Sequence, residues 1–411
     1  MTGKTRPNIV FVLTDDQGYG DLGCHGNSAI QTPNIDRFHS RAVRFSNYHV
    51  GSTCAPTRAG LLTGHYCNSA GVWHTIGGRS LLRADEWTLA NALSEAGYKT
   101  GHFGKWHLGD NAPYRPHERG FDLTVYHAGG GIGNTGDAWG NDYFDDTYMV
   151  NGVPKSFKGY CTDVFFDLAK DYILEHQNEP FACFITCNAP HDPYNVEKQY
   201  SDLYRDKTNV DRANFYGMIT NIDENIGKLD ALLDELHLKD NTIVIFFSDN
   251  GGGGASDNTP LRGAKGQMFE GGLRVPCIIR WPGRVPAGKT SDAFLTTLEI
   301  LPTLLQASDV KPPQDIIFDG FDLLPVLQGK TPSTRNAMFW QRRNDVGARV
   351  GDWKWVDSSR GSGLFNLKTD VGEQQDLSAT HPGKLAELKQ HFAHWKKQMD
   401  AAEPRGPFRD F

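Results

Sequence analysis

The sequence predicts an α/β chain: a large mixed, mostly parallel sheet sandwiched by helices, followed by a small antiparallel sheet with a helix. Three observations predict it. Short continuous apolar runs at Asn8-Ile-Val-Phe-Val-Leu-Thr14, Phe181-Ala-Cys-Phe-Ile-Thr-Cys187 and Thr242-Ile-Val-Ile-Phe-Phe-Ser248 read as strands buried on both faces, as parallel sheets require. Helical spacing fills the segments between them. It is clearest from Asn214 to Leu236, where Met218, Ile222, Ile226, Leu229, Leu233 and Leu236 recur every three or four residues. From about Asn336 the texture changes to short strand-like pieces at Ala348-Arg-Val350, Trp353-Lys-Trp-Val356 and Gly363-Leu-Phe-Asn-Leu367. An amphipathic helix bearing Leu385, Leu388, Phe392, Trp395 and Met399 closes the chain.

The remaining elements follow in order. Thr88 to Ala96 reads as a helix stopped by Gly97 and leading into a strand that carries Lys105 and His107. If that strand runs through both, their side chains leave the same face. Val275 to Arg280 reads as a strand, and Leu298 to Ala307 as a helix with Pro302 inside it. At 411 residues the chain has room for two domains, expected at 1–330 and 331–411.

Composition narrows the function classes. Lys and Arg total 42 against 49 Asp and Glu, a net charge of −7 with no basic tract, which argues against nucleic acid as a partner. No apolar run reaches transmembrane length. No leader is visible ahead of Asn8, so localisation stays open: periplasmic or secreted where a leader has been removed, cytoplasmic otherwise. The seven cysteines (24, 54, 67, 161, 183, 187, 277) form no dense disulfide framework, and Cys183 and Cys187 read as core.

The chemistry gathers at strand ends. Asp15 and Asp16 follow the first apolar run, and Asp249 and Asn250 follow the third, where open α/β sheets place their ligands. Four oxygen donors without a soft one suit calcium or magnesium, and the number of carboxylates favours calcium. Either pair alone fits better a turn with capping side chains, and it is their company with Cys54 that reverses this reading. Lys105 and His107, His191 after the second run, and Lys265 in the glycine-rich segment Leu261 to Pro276 supply cations and a base. Cys54-Ala-Pro-Thr-Arg58 adds a cysteine with no metal-ligand partner in spacing; alone, it equally fits a buried thiol. Pro56 suits the first turn of a helix, which puts Cys54 at the positive end of the helix dipole. Neither Gly131-Ile-Gly-Asn-Thr-Gly136 nor Gly251 to Gly254 reads as a phosphate loop: the first precedes no helix, and the second lacks a following Lys-Ser/Thr. The aromatic and acidic stretch Trp139 to Tyr148 reads either as a solvated loop with anchored rings or as a cleft rim.

Taken together, Thr14 to Asp21, Thr32-Pro-Asn-Ile-Asp36, Cys54 to Gly64, Gly104-Lys-Trp-His-Leu-Gly109, Ala189-Pro-His191, Ser248-Asp-Asn-Gly251 and Lys265 to Pro276 resemble the type I sulfatases of the alkaline phosphatase superfamily. The resemblance runs from about Asn8 to Leu327 and extends more loosely beyond. It implies an alkaline-phosphatase-like fold. It also implies a Cα-formylglycine made from Cys54 by a maturation enzyme, and one calcium ion held by Asp15, Asp16, Asp249, Asn250 and the modified Cys54. By the same resemblance Arg58 holds the aldehyde hydrate, His107 is the base on it, and Lys105, His191 and Lys265 bind the sulfate and assist the leaving oxygen. One hydroxyl of the hydrate would attack sulfur; the other, deprotonated by His107, would release sulfate and restore the aldehyde. The implied substrate is a sulfated carbohydrate, with a small aryl sulfate second. The alternatives are a phosphodiesterase or phosphonate monoester hydrolase of the same superfamily, and a sulfated-glycan binding protein whose Cys54 is never oxidised.

Overall fold

The computed structural model describes residues 6–76, 79–134 and 139–402. Its central strand, β1 (Asn8–Thr14), feeds two cores at once. Ile9, Phe11 and Leu13 enter one apolar cluster, and Val10 and Val12 enter the other. That alternation is what a sheet covered on both faces demands of its middle strand.

In chain order the next elements are α1 (Pro33–His39), β2 (Val43–Phe45), β3 (Tyr48–His49), α2 (Cys54–Thr63), α3 (Leu89–Glu95), β4 (Lys99–Lys105), β5 (Leu123–His127), β6 (Thr147–Val150) and β7 (Val153–Ser156). Then come α4 (Cys161–Glu175), β8 (Phe181–Thr186), α5 (Lys198–Ser201), α6 (Val210–Glu235), β9 (Thr242–Ser248), α7 (Glu270–Leu273), β10 (Cys277–Arg280), β11 (Lys289–Ser291), β12 (Leu295–Thr296), α8 (Ile300–Ser308) and α9 (Leu324–Leu327). The last are β13 (Ala337–Arg342), β14 (Asp345–Val350), β15 (Trp353–Ser358), β16 (Gly361–Asn366) and α10 (Pro382–Ala401).

The large sheet has ten strands in the order β11-β2-β10-β9-β1-β8-β4-β5-β6-β7. Its middle, β9-β1-β8-β4-β5, is parallel throughout, and antiparallel partners flank it. Helices α2, α3 and α8 cover one face, and α1, α4 and α6 the other. On α6 the expected stripe is the buried one: Met218, Ile222, Ile226, Leu229 and Leu233 pack on the sheet, each contributing about 1.5–3 kcal/mol of burial. The helix begins at Val210, ahead of the expected start, because the Asn209 side chain caps the Arg212 amide. Thr88 caps α3 in a reciprocal pair with Asn91.

Register decides where the site lies. Thr14 pairs with Ser248, Leu13 with Thr186, and Gly104 with Thr186, so the carboxyl ends of β1, β9, β8 and β4 finish side by side. One expectation fails here. The strand carrying Lys105 stops at that residue, and His107 adopts φ 63°, outside extended backbone. Trp106 and Leu108 on either side are buried in the apolar core, and their burial turns the backbone over at His107.

The small sheet β13-β14-β15-β16 is antiparallel and gains a strand, Ala337–Arg342, that the sequence pattern did not reveal. Leu388, Phe392, Trp395 and Met399 of α10 pack against Trp340, Ala348 and Trp355 of this sheet, with Met268, Phe269 and Leu273 in the same cluster. Among the described residues no helix is long and apolar enough to cross a membrane. Of the Gly131 to Gly136 segment, Thr135 and Gly136 lie outside the described residues, as do Met1 to Thr5 ahead of β1.

Candidate active site

Helix α2 brings Cys54 to the strand ends. Thr53 is extended and Cys54 is the first helical residue, with Pro56 two positions on. Gly64, at φ 67°, closes the helix with its N–H on the Gly60 carbonyl. Every residue of α2 is buried, and Cys54 Sγ lies 3.4 Å from Asp15 Oδ1. One turn along, Arg58 shares the face of Cys54. Its Nε and Nη2 donate to Asp249 Oδ2 at 3.1 and 2.8 Å, and its Nη1 donates to the Lys105 carbonyl at 2.6 Å.

Asp15, Asp16, Cys54 and Asp249 each offer a ligand atom within 4.8 Å of the others, all buried. Asn250 completes the set: its Nδ2 donates to Asp16 Oδ1 at 2.7 Å, while its Oδ1 is buried with no hydrogen-bond partner. A buried carbonyl oxygen left without a donor beside three carboxylates is what a cation would satisfy, so these residues fit a hard divalent metal. Burial, together with the charge of Asp15, pushes Asp249 up to about 7, against the pull of Arg58 and Lys105. Burial would also raise Asp15, but Lys105, His191, Arg58 and Lys265 overcome it and hold that carboxyl far below its ordinary value.

Three cations face these carboxylates. Lys105 Nζ pairs with Asp15, Lys265 Nζ donates to Asp16 Oδ2 at 2.8 Å, and Arg58 bridges Asp249. Asp15, Asp16 and Asp249 thus balance Lys105, Lys265 and Arg58, and a divalent cation added to them would leave the pocket positive. That is the sign required to hold an anion in a site shielded from water. Burial and the neighbouring carboxylates raise the Cys54 thiol far above its usual range, so the unmodified side chain is a thiol and not a thiolate nucleophile.

His107 Nε2 faces the Thr75 carbonyl at 2.9 Å. A carbonyl only accepts, so Nε2 carries the proton and Nδ1, buried without a partner, keeps its lone pair. Burial, with Lys105 next, holds this imidazole well below its ordinary pKa and therefore neutral. His191 Nδ1 faces the Asp192 carbonyl at 2.7 Å, and its Nε2 lies 3.7 Å from Asp16 Oδ2. All ten residues singled out in the sequence thus meet at one place. A cleft of about 420 Å³ opens beside His107, walled also by Thr75, Ser80, Asp110, Asn111 and Asn134.

Three contributors escaped the sequence reading. The Tyr143 hydroxyl donates to the His191 carbonyl at 2.6 Å and braces that loop, which resolves part of the Trp139 to Tyr148 stretch: Tyr143 and Tyr148 are buried, and Trp139 and Phe144 stay exposed. Thr75 orients His107 through its backbone, which no side-chain pattern announces. Gly131, at φ 101°, lets the chain pass Asn188 and Lys105; a Cβ there would collide with Asn188 Oδ1 and come within 2.9 Å of the lysine Cδ. The glycine at 131 thus makes room for these two side chains.

Comparison with known proteins agrees with this geometry. The sulfatase family profile matches residues 7–310. N-acetylgalactosamine-6-sulfatase of Canis lupus familiaris is 30% identical over 399 residues, covering 86% of this chain and 73% of its own. N-acetylgalactosamine-6-O-sulfatase of Bacteroides thetaiotaomicron is 29% identical over 479 residues, covering 94% and 92%. The crystal structure of Ps i-CgsB in complex with k-i-k-neocarrahexaose superposes with a TM-score of 0.90 at 28% identity, over 98% of this chain and 96% of that one. The chain therefore belongs to the sulfatase family, among the type I sulfatases of the alkaline phosphatase superfamily, and is a sulfuric ester hydrolase.

Proposed function

We propose that this enzyme removes sulfate from sulfated carbohydrates, using a Cα-formylglycine made from Cys54 and one calcium ion held by Asp15, Asp16, Asp249 and Asn250 with residue 54. The observation that carries the reading is the buried cluster in which Cys54 Sγ sits among three carboxylates and the unpartnered Asn250 Oδ1. When bound, the metal supplies positive charge for the oxygens of the ester. When formed, the aldehyde hydrate supplies an oxygen nucleophile that a buried thiol does not.

The chain's own groups do the rest. Lys105 and Lys265 counter the charge that develops on the peripheral sulfate oxygens, and they are already fixed by Asp15 and Asp16 before substrate arrives. Lys265 Nζ, or His191 Nε2 when its ring is doubly protonated, hands a proton to the departing alcohol oxygen. His107 Nδ1, with its lone pair free, accepts a proton from the group at position 54. Arg58 holds Asp249 and shares a helix face with residue 54, which orients both. Because all of α2 is buried, the proposed maturation enzyme has to read Cys54 to Arg58 before the chain closes over them.

The carbohydrate assignment is supported by the names of the relatives and by the cleft beside His107, whose Asp110, Asn111 and Asn134 offer partners to sugar hydroxyls. The test compares matured enzyme on sulfated oligosaccharides, phosphate diesters and phosphonate monoesters. The proposal expects sulfate release to dominate and to require calcium. Preferential cleavage of a phosphorus ester would overturn it.

A further inference from the structure

The small sheet brings charge close to the loops that carry Lys265 and His107. Arg342 ends β13 and Arg343 opens the turn to β14, where it is exposed and held at φ 56°, a conformation that strains a side-chain-bearing residue. The Arg342 guanidinium lies against Gly266, the residue after Lys265: a Cβ on that glycine would sit 2.9 Å from Nη1 and 3.2 Å from Nη2. Facing this turn is the segment that leads to the loop holding His107: Trp73 and Arg342 line one cavity, and Asn68 Nδ2 donates to the Gln341 carbonyl at 3.4 Å. The Trp73 and His74 amides both donate to the Arg79 carbonyl, at 3.1 and 3.2 Å, which folds Arg79 back beside His74. The Arg79 guanidinium then stacks over the Trp73 ring, 5.2 Å from its centre. Thr75, next to His74, is the residue whose carbonyl binds His107.

We propose that Arg342, Arg343, Arg79 and His74 form a second anion subsite that binds a sulfate ester or carboxylate on a sugar neighbouring the one being desulfated. The proposal rests on the sulfatase reading and deepens it: the substrate is an oligosaccharide with at least two anionic groups. Three guanidinium groups gather here in a chain whose net charge is −7. Asp345 stands 3.9 Å from Arg342, and its carboxylate is also engaged by the Ser359 amide at 2.8 Å. Arg342 Nε is buried with no partner. His74 Nδ1 accepts the Thr75 amide at 2.7 Å, which leaves Nε2 as the ring's N–H donor. Burial, followed by the charges of Arg342, Arg343 and Arg79, holds His74 down to about 4, in keeping with Trp73 and Arg342 lining one cavity. Planar guanidinium forks and an imidazole N–H donor carried by two adjoining segments match the oxygens of a sulfate or carboxylate. The cluster adjoins the catalytic residues on two sides, through Gly266 to Lys265 and through Thr75 to His107, so an anion bound here belongs to the same ligand.

The test uses Arg343→Ala and Arg343→Lys, because Arg343 is exposed and carries no core packing. Three disaccharide probes share one scissile sulfate. One has no further charge, one carries a second sulfate, and one carries a uronic acid. Turnover is measured on matured enzyme, and calorimetric affinity on the same variants in a Cys54→Ala background. The expected result is a wild-type preference for a doubly anionic probe that Arg343→Ala lowers about tenfold, the scale of one charge-assisted hydrogen bond at a partly exposed site. Arg343→Lys should keep most of the preference, and raising salt should weaken it. Which doubly charged probe is preferred identifies the anion. No wild-type preference for either, or a preference untouched by Arg343→Ala, overturns the subsite. If the affinity preference is present but no probe is hydrolysed, the sulfatase reading fails and the subsite stands.

Discussion

Replacing Lys354 with methionine should destabilise the protein and damage a catalytic site whose cations lie elsewhere in the chain. Lys354, on β15, places Nζ 2.8 Å from Glu270 Oε1 and 3.0 Å from Glu373 Oε1, and none of the three side chains is exposed to solvent. Glu373 Oε2 in turn accepts the Glu270 amide at 2.6 Å, and His49 Nε2 lies 2.9 Å from Glu270 Oε2. Removing the lysine strands two buried carboxylates, and breaking such a pair costs about 3–5 kcal/mol. For a chain of 411 residues the unfolding entropy is about 0.9 kcal/mol per degree, so the melting temperature should fall by about 4–6 °C. The loss should depend on pH. A carboxylate stranded in the interior has a folded pKa above its unfolded value, so the folded variant binds more protons than the unfolded one. Its stability therefore falls as pH rises from about 4.5, and the deficit against wild type is larger at pH 8 than at pH 5. Activity should drop as well, because Glu270 opens α7 and the next residues tie Lys265's loop to the end of β9 through Gly251 N–H to the Gly272 carbonyl, at 3.1 Å. Thermal melts at both pH values, with kcat/KM, are the assay. Adding Glu373→Gln should recover part of the loss, because it removes one stranded charge. A Lys354→Met protein that melts within a degree of wild type at pH 8, or a double variant worse than the single, would refute the reasoning.

The site itself yields three further expectations. Asp16→Asn and Asp249→Asn should each lower activity by orders of magnitude, and chelated wild type should regain activity with calcium; two zinc ions in active protein, by metal analysis, would contradict the ligand assignment. His107→Ala should lose about 2.7–4 kcal/mol of transition-state stabilisation, yet release a burst of alcohol and retain sulfate by intact mass, whereas Lys265→Ala and His191→Ala should slow the reaction with no retained sulfate. Tyr143→Phe removes the hydrogen bond that braces the His191 carbonyl; at about 1 kcal/mol, kcat/KM should fall about fivefold with the melting temperature nearly unchanged, and a drop as large as that of His191→Ala would give Tyr143 a more direct role.

Much of this molecule can be read from residues in a row. β1 and β9 are continuous apolar runs whose next residues are Asp15 and Asp249, and a parallel sheet puts such ends together. Cys54 to Arg58 announces itself by type and spacing, and the α6 stripe by period. What stayed hidden depends on contacts between distant positions. The Thr75 carbonyl reaches His107 across 32 residues, and Tyr143 reaches His191 across 48, with no local pattern to mark either. The buried Glu270–Lys354–Glu373 group joins three distant segments, and no spacing in the sequence marks their pairing. The reversal at His107 was missed because a two-residue alternation of side chains holds only while the strand continues. Here Trp106 and Leu108 both enter the core, and the backbone turns to let them.

The account depends most on what residue 54 is in the working enzyme. Protein should be made with and without a formylglycine-generating partner, digested, and the peptide containing residue 54 weighed beside the sulfatase activity of each preparation. The account predicts that activity tracks the fraction of peptide with the mass of the aldehyde, that the thiol form is inactive, and that Cys54→Ala is inactive while still folded and binding calcium. Full sulfatase activity from a preparation whose peptide carries an intact Cys54 thiol would contradict it.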